Sequence, residues 1–296
     1  MGSESARYAE LAEDCKARRR RDEELAMRRR ALQAACTAGE RAAALCNLAD
    51  PLAYFGRMDE ALQCLREALS LEPAAALHTR NLAAYLVRHG QAMEALEVLG
   101  RADQDVSDNA VYWMWRGRAS MLLERWADAI AAFRRTVALN PSAEHVWRDL
   151  AVALVEAGQY EEAGGIAEGR LRQGLASHLI LADIERRLGH AESACALVKT
   201  ALDAMAGPDA FEEVRWHYCN RRSHLELVAY VRRLAGVLPE CPWTHWILAR
   251  LMSILGDRDA VAAETREVVR LKPQAEKQLA GDPYLAHVRP YPYECS

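Results

Sequence analysis

The sequence predicts an all-α protein built as a stack of antiparallel helix pairs. Ala61, Ala95, Ala129 and Ala163 follow one another at a constant interval, which we call the repeat length. Apolar residues recur around them with helical periodicity, and few segments alternate in the manner of a strand. A repeated helix pair packs only on its neighbours, so it builds an elongated array with no single core. The 296 residues are enough for such an array without a division into ordinary domains.

Further positions recur in the same register. Two helices approach closely only where neither carries a long side chain, and small residues stand at the expected crossing: Ala49, Ala83, Gly117 and Ala151. Glycine readily enters the left-handed conformation that ends a helix, and the expected turn carries Gly56, Gly90, Glu124 and Gly158. The bulky position of the second helix has Leu65, Leu99, Phe133 and Ala167, and the terminal stop has Pro73, Ser107, Pro141 and Leu175.

One stretch contains the whole pattern. Residues 113–141 read WMWRGRASMLLERWADAIAAFRRTVALNP, with Trp113, Gly117, Ala129, Phe133 and Pro141 at fixed separations. This resembles the tetratricopeptide repeat, whose signature is aromatic, small, Ala, Phe and Pro at these positions. The resemblance implies a right-handed superhelical solenoid of antiparallel helix pairs. The alternative is an irregular helical bundle with alanine-rich helices.

In chain order, the pattern divides the sequence into four parts. Residues 1–41 are expected to form a degenerate N-terminal helix pair or cap, and 42–175 four regular repeats. Gly189 follows Gly158 by less than one repeat length, so residues 176–273 are interpreted as three irregular repeats. Residues 274–296 are expected to form a C-terminal capping helix and a proline-rich tail. Within the first part, the charge-dense ARRRRDEELAMRRR at 17–30 is either a basic arm for an acidic partner or a solvated helix with internal ion pairs.

Composition narrows the kinds of partner. The 38 basic and 42 acidic residues give a net charge of −4, which supports neither a nucleic-acid nor an anionic-membrane partner. No apolar run is long enough to cross a bilayer, and the N-terminus lacks the apolar centre of a signal peptide. None of the eight cysteines forms a C-x-x-C pair, so reduced thiols in the cytoplasm are expected. The oligomeric state is not indicated.

The resemblance implies that the first helices of successive repeats line a concave groove that binds an extended peptide or a partner helix. Stepping by one repeat length gives three groove columns, which are Asn47/Asn81/Trp115/Asp149, Cys46/Arg80/Met114/Arg148 and Asp50/Ala84/Arg118/Val152. From these we predict a partner-binding site of Asn47, Asp50, Arg80, Asn81, Met114, Trp115, Arg118, Arg148 and Asp149. Asparagine amides suit a peptide backbone, arginines a carboxylate, and tryptophan an apolar anchor.

Family members that grip the C-terminal carboxylate of chaperones use a Lys/Asn, Asn, Lys/Arg set across three repeats. Arg80 and Asn81 resemble part of that set. Ala84 stands where a second Asn is expected, and Val111 where a Lys is expected. A chaperone-tail clamp is therefore disfavoured.

Histidines and cysteines gather in the irregular 205–245 segment, at His217, Cys219, His224, Cys241 and His245. Imidazole and thiolate suit zinc, but the spacing matches no zinc finger. His217 and Cys219, two positions apart on a helix, would also point in different directions. We predict no metal, no cofactor and no catalysis. The predicted function is a protein-interaction scaffold. The alternatives are a regulatory or assembly subunit that acts through its outer face or ends, and an enzyme or metal site in 205–245.

Overall fold

The computed structural model describes residues 3–18, 20–101, 108–171, 174–205, 221–282 and 284–285, and the side chains of 221–226 lie outside that description. Every regular element in these residues is helical. The helices are α1 Glu4–Ala17, α2 Arg21–Gln33, α3 Ala38–Tyr54, α4 Met58–Leu71, α5 Ala76–Arg88, α6 Ala92–Gly100, α7 Ala110–Leu122, α8 Trp126–Leu139, α9 Glu144–Glu156, α10 Tyr160–Gly169, α11 Leu175–Arg187, α12 Ala191–Ala204, α13 Arg221–Val237, α14 Pro242–Leu255, α15 Arg258–Leu271 and α16 Glu276–Ala280. A short 3-10 turn, Pro273–Ala275, precedes α16. No helix among the described residues is both long and apolar enough to cross a membrane.

Two compact units make up the chain, Met1–Val146 and Trp147–Ser296. Each has its own apolar core. In the first unit, Leu48, Leu62, Leu82 and Leu99 belong to one buried cluster, which extends to Trp115. In the second unit, a larger cluster runs from Leu179 through α12, α13 and α14 to Tyr284.

The residues predicted at the helix crossings are confirmed as buried. Ala61, Ala95, Ala129 and Ala163 are each 0% exposed. Three of the small residues on the facing helices, Ala49, Ala83 and Ala151, are also 0% exposed. The sequence repeats alanine here because helix axes can come close only where no side chain extends beyond Cβ.

The predicted turn positions are confirmed as well. Gly56, Gly90 and Gly158 have positive φ angles of 73°, 81° and 78°, and Glu124 reaches the same region with φ 56°. Each ends the first helix of a pair and turns the chain into the second. Gly189 and Gly256 repeat this conformation after α11 and α14, so they mark the corresponding point of the irregular repeats.

Residues 1–41 contain the packed pair α1 and α2. Ser3 caps α1 through the N–H of Ala6, and Thr37, one repeat length later, caps α3 in a capping box with Glu40. Several arginines of the charge-dense segment are engaged with carboxylates: Arg20 with Glu23, Arg21 with Glu24, and Arg28 with Glu13. These internal pairs favour the solvated-helix interpretation of 17–30 over the free basic arm.

The second unit departs from strict repetition after α12. Helix α12 packs directly against α14, in the way that α2 packs on α3, α4 on α5, α6 on α7 and α10 on α11. Helix α13 packs on α14 and contributes Val228, Val231 and Leu234 to the core. The first helix of the second irregular repeat would fall in 206–220, which lies outside the described residues, as does the tail at 286–296. The three-repeat interpretation of 176–273 therefore stays a prediction.

Candidate functional site

The inner helices of the first unit, α1, α3, α5 and α7, are joined by side-chain contacts in chain order. Lys16 on α1 pairs with Asp50 on α3 at 3.1 Å. The Tyr85 hydroxyl on α5 lies 3.5 Å from Asp50 Oδ1, and the Arg88 guanidinium on α5 lies 5.6 Å from the centre of the Trp115 ring on α7. We name the surface built from these positions the first-helix face. Its members are Lys16, Asp50, Tyr54, Arg80, Tyr85, Arg88, Trp115 and Arg118.

Asp50, a predicted site residue, is exposed and lies at the centre of this contact row. Its carboxylate faces Lys16 at 3.1 Å and Arg21 at 3.9 Å. Burial raises the pKa of Tyr85, so the phenol stays neutral and can donate to Asp50. Asp50 is thus held by its own chain and cannot serve as an unengaged anion for a ligand.

Arg80, Ala84 and Arg88 lie on one side of α5, since residues four apart share a helix face. Arg80 is half-buried and Arg88 is exposed. No carboxylate of the described residues forms an ion pair with either guanidinium. Arg88 instead lies over two aromatic rings, Tyr85 at 5.5 Å and Trp115 at 5.6 Å. These two arginines are the cationic groups of the face that are available to an anionic partner.

The Asn81 amide is already engaged inside the first unit. Burial raises the pKa of the Cys46 thiol to about 11, and a hydrogen bond with Asn81 partly offsets that effect. Cys46 Sγ also lies 3.0 Å from His78 Nδ1, whose ring Nε2 is 2.8 Å from Glu72 Oε2. Asn81 is therefore part of a series of interacting polar side chains that continues through Cys46 and His78 to Glu72. Its own side chain is half-buried. Asn47, by contrast, is exposed, and it lines a small cavity with Ser5, Arg28 and Ala31.

Trp115 differs from its predicted role as an exposed apolar anchor. It is only 8% exposed and belongs to the core of the first unit. The guanidinium of Arg118 lies 5.2 Å from its ring centre, and Arg88 lies 5.6 Å away. An indole at a position where other repeats carry asparagine gains more from burial than from solvent, so it turns into the core. Its ring makes cation–π contacts with two guanidinium groups, those of Arg88 and Arg118.

The remaining predicted residues make other contacts. Met114 is half-buried, and its sulfur is 3.4 Å from His145 Nε2. Arg148 and Asp149 belong to the second unit, where Arg148 Nε lies 3.9 Å from Asp149 Oδ1 and both side chains are half-buried. Of the predicted residues, Asp50, Arg80, Trp115 and Arg118 belong to the first-helix face of the first unit, and Asn81 lies beside it. Arg148 and Asp149 are not members of this face.

Sequence reasoning missed four members of the face, which are Lys16, Tyr54, Tyr85 and Arg88, and the neighbouring Arg21. The signal was present, because Lys16 precedes Asp50 by one repeat length and Tyr54 precedes Arg88 by the same step. Arg21 lies over the Tyr54 ring at 4.8 Å, which repeats the guanidinium–aromatic contact of Arg88. Tyr54 and Arg88 form a fourth column, one turn further along the first helices, and Lys16 extends the Asp50 column back to α1.

Exposed apolar side chains accompany the arginines on these first helices. Leu77 and Val111 are one repeat length apart, one near the start of α5 and the other near the start of α7, and both are exposed. Leu122, at the end of α7, follows Arg88 by the same step and is also exposed. Large apolar groups at repeated exposed positions are typical of surfaces that bind another molecule.

The residues considered for a metal or catalytic site do not come together in the described part of the chain. No group of three or more His, Cys, Asp or Glu side chains suited to a metal ion occurs among the described residues. Cys241 Sγ lies 2.7 Å from Cys195 Sγ, and His245 Nδ1 lies 2.8 Å from Glu264 Oε2. His217 and Cys219, and the side chain of His224, lie outside the described residues.

Three models of the tetratricopeptide repeat family match residues 42–74, 80–144 and 121–174. They fall on the helix pairs whose alanine and turn positions the structure confirms. The chain is a tetratricopeptide repeat protein. Proteins of this family are typically non-catalytic, and repeats of this kind support a protein–protein interaction scaffold. No curated protein matches this tetratricopeptide repeat protein.

Solved structures agree on the fold of this tetratricopeptide repeat protein. PilW, described as a widely conserved type IV pilus biogenesis factor, is 20% identical, with a TM-score of 0.61. That match covers 72% of this chain and 99% of PilW. PilF of Pseudomonas aeruginosa is 18% identical, with a TM-score of 0.56, over 72% of this chain and 97% of PilF. At these identities the similarity establishes the all-α repeat architecture and nothing about shared partners.

Proposed function

We propose that this protein is a non-catalytic scaffold whose first-helix face in the first unit binds an extended, acidic segment of a partner protein. The observation that carries the proposal is the pair Arg80 and Arg88. Both lie on one side of α5, and neither pairs with a carboxylate among the described residues. Exposed or half-buried guanidinium groups without a partner carboxylate are suited to carboxylates of another chain.

The aromatic residues support this assignment by holding the arginine in place. Arg88 contacts the rings of both Tyr85 and Trp115, at 5.5 Å and 5.6 Å from their centres. Such contacts limit the rotamers of a long side chain before any ligand arrives, so less side-chain entropy is lost on binding. Arg88 is therefore a partly preorganised donor.

The apolar residues define a second requirement on the partner. Leu77 and Val111 are exposed on neighbouring first helices, close to the start of each. A segment that presents carboxylates to Arg80 and Arg88 can also cover these two side chains. The favoured ligand is therefore an extended peptide with interspersed acidic and apolar residues, and not a uniformly acidic polymer.

The proposal is tested by selecting random peptides on the wild-type protein and on the double variant Arg80→Glu/Arg88→Glu. A matched control is Arg29→Glu/Arg101→Glu, which makes the same change of net charge at exposed sites on or next to second helices. Peptides enriched in Asp or Glu should bind wild type and the control about equally. Their affinity for Arg80→Glu/Arg88→Glu should fall by at least about tenfold, because two charge-assisted contacts become repulsive. Equal binding to all three proteins would overturn the proposal.

A further inference from the structure

The C-terminal part of the chain lies on α14 of the second unit. Asp282 is almost completely buried, and its Oδ2 accepts hydrogen bonds from Trp246 Nε1 at 2.6 Å and from Arg250 Nε at 2.8 Å. The Ser253 hydroxyl donates to the Tyr284 carbonyl oxygen. The Arg250 guanidinium lies 5.0 Å from the centre of the Tyr284 ring. An Asp and an aromatic residue two positions later are thus held by three side chains of one helix.

Two of those three side chains, Trp246 and Arg250, occupy repeat positions that the first-helix face of the first unit also uses, and Ser253 lies one turn further along the helix. Gly256 ends α14 in the left-handed conformation, as Gly56 ends α3, Gly90 ends α5 and Glu124 ends α7. Counted back from that turn, Trp246 corresponds to Cys46, Arg80 and Met114. On the same count, Arg250 corresponds to Asp50, Ala84 and Arg118, and Ser253 corresponds to Ala53, Val87 and Met121. The C-terminal segment therefore lies on the first-helix face of the last repeat, where a peptide ligand would lie.

The site on α14 is built to hold a carboxylate. The Arg250 side chain is 7% exposed and is also held by a hydrogen bond from its Nη1 to the Leu202 carbonyl oxygen at 2.9 Å. The Asp282 carboxylate supplies the charge that this buried guanidinium needs, and its Oδ1 accepts the Tyr284 N–H at 2.9 Å. A buried arginine with a neighbouring indole N–H is a preorganised pair of hydrogen-bond donors for an aspartate in an extended or turned segment.

Another segment of the second unit also lies on a first helix. Tyr230 of α13 donates to the Leu179 carbonyl oxygen of α11 at 3.3 Å. Arg233 of α13 pairs with Glu156 at 2.8 Å. Leu179 stands at the position of Arg80 when counted back from Gly189. The second unit thus covers its own first helices with chain segments, whereas Arg80 and Arg88 of the first unit remain open.

We infer that Asp282 and Tyr284 act as an internal ligand, and that a partner segment with the same chemistry exchanges with them on Trp246, Arg250 and Ser253. The fitting segment is an extended stretch with an aspartate followed two positions later by an aromatic residue. The internal segment competes at the high effective concentration of a tethered ligand, so the site is available only to a partner that displaces it. This site does not include the arginines of the first unit. The inference can therefore be tested independently of the proposed function.

The test uses the full chain and a fluorescently labelled peptide, GDPYLAH, which copies residues 281–287. The full-chain variant Asp282→Asn keeps the size of the side chain but removes its charge, so the internal segment is held more weakly. Fluorescence anisotropy should show the peptide binding to Asp282→Asn at least about tenfold more tightly than to wild type, because the tethered competitor is weakened. The peptide GNPYLAH should bind to Asp282→Asn at least about tenfold more weakly than GDPYLAH.

Asp203→Asn provides the matched control, since Asp203 pairs on the surface of α12 with Lys199 and lies off this site. It should bind GDPYLAH no better than wild type does. If circular dichroism shows that Asp282→Asn has lost helix content, Tyr284→Ala takes its place with the same expectations, because it leaves the Asp282–Arg250 pair intact. Two results would overturn the inference and leave the segment as a structural cap. One is equal affinity of GDPYLAH for wild type and for Asp282→Asn (or Tyr284→Ala, where that variant is used). The other is equal affinity of GDPYLAH and GNPYLAH for the variant.

Discussion

A Cβ atom on Gly117 would lie 2.6 Å from Cε1 of Phe133. Phe133 is 0% exposed, so its ring has no open space to move into. Other repeats in the first unit place alanine and leucine in these two columns, as Ala49 with Leu65 and Ala83 with Leu99. The third repeat therefore has glycine in place of alanine and phenylalanine in place of leucine, and the two changes belong together.

Gly117→Ala is expected to destabilise the first unit by about 1–3 kcal/mol, the usual cost of overfilling a tightly packed core. The measurement is urea denaturation followed by circular dichroism. Adding Phe133→Leu should recover most of the loss, because the double variant restores the Ala/Leu pair of the preceding repeat. Strictly additive effects of the two substitutions would contradict the direct contact.

Glu124 is the one non-glycine residue with positive φ among the described residues. A side chain in this region costs roughly 1–2 kcal/mol, which glycine does not incur. Replacing Glu124 with glycine should therefore raise the free energy of unfolding by about 1 kcal/mol, after the added flexibility of the unfolded chain is offset. Glu124→Ala serves as the control and should give no such gain, since alanine keeps the Cβ. A gain of equal size with alanine would show that the carboxylate, and not the backbone, is unfavourable.

The thiols of Cys195 and Cys46 should differ in reactivity. A hydrogen bond with Cys241, at 2.7 Å, and the nearby Lys272 lower the pKa of Cys195, whereas burial raises the pKa of Cys46 to about 11. Because the thiolate is the nucleophile, Cys195 should react with iodoacetamide at lower pH, and Cys46 only as the pH approaches its raised pKa. Mass spectrometry of peptides alkylated across a pH series measures both profiles.

Cys241→Ala should move the Cys195 profile to higher pH, since it removes the largest cause of the lowered pKa. Lys272→Met should move it in the same direction by a smaller amount. Modification of Cys46 ahead of Cys195 near neutral pH would contradict this assignment.

The sequence predicted the repeat architecture well because the helix crossings and turns are local requirements. Ala129 is fixed by close approach and Gly90 by positive φ, and each requirement recurs once in every repeat length. The site was harder to predict. Trp115 falls in a groove column, yet its side chain turns into the core because burial favours an indole over an amide.

Contacts between residues far apart in sequence left no periodic signal. Asp282 meets Trp246 and Arg250 from a distant part of the chain, and nothing in its immediate sequence marks it as buried. Arg88 could have been found, since it follows Tyr54 by one repeat length. Its role nevertheless depends on its contacts with Tyr85 and Trp115, and the contact with Trp115 is revealed only by the packed helices.

The central claim, that a partner contacts the first helices of the first unit, is tested most directly by photo-cross-linking. Leu77 on first helix α5 and Met93 on second helix α6 are equally exposed, at 51% each. A photoreactive amino acid is placed at one position or the other in the full chain, and adducts formed in cells are identified by mass spectrometry. We expect a partner adduct from position 77 that disappears with Arg80→Glu/Arg88→Glu, and none from position 93. An adduct from position 93 alone would place the interaction on the outer helices and contradict the account.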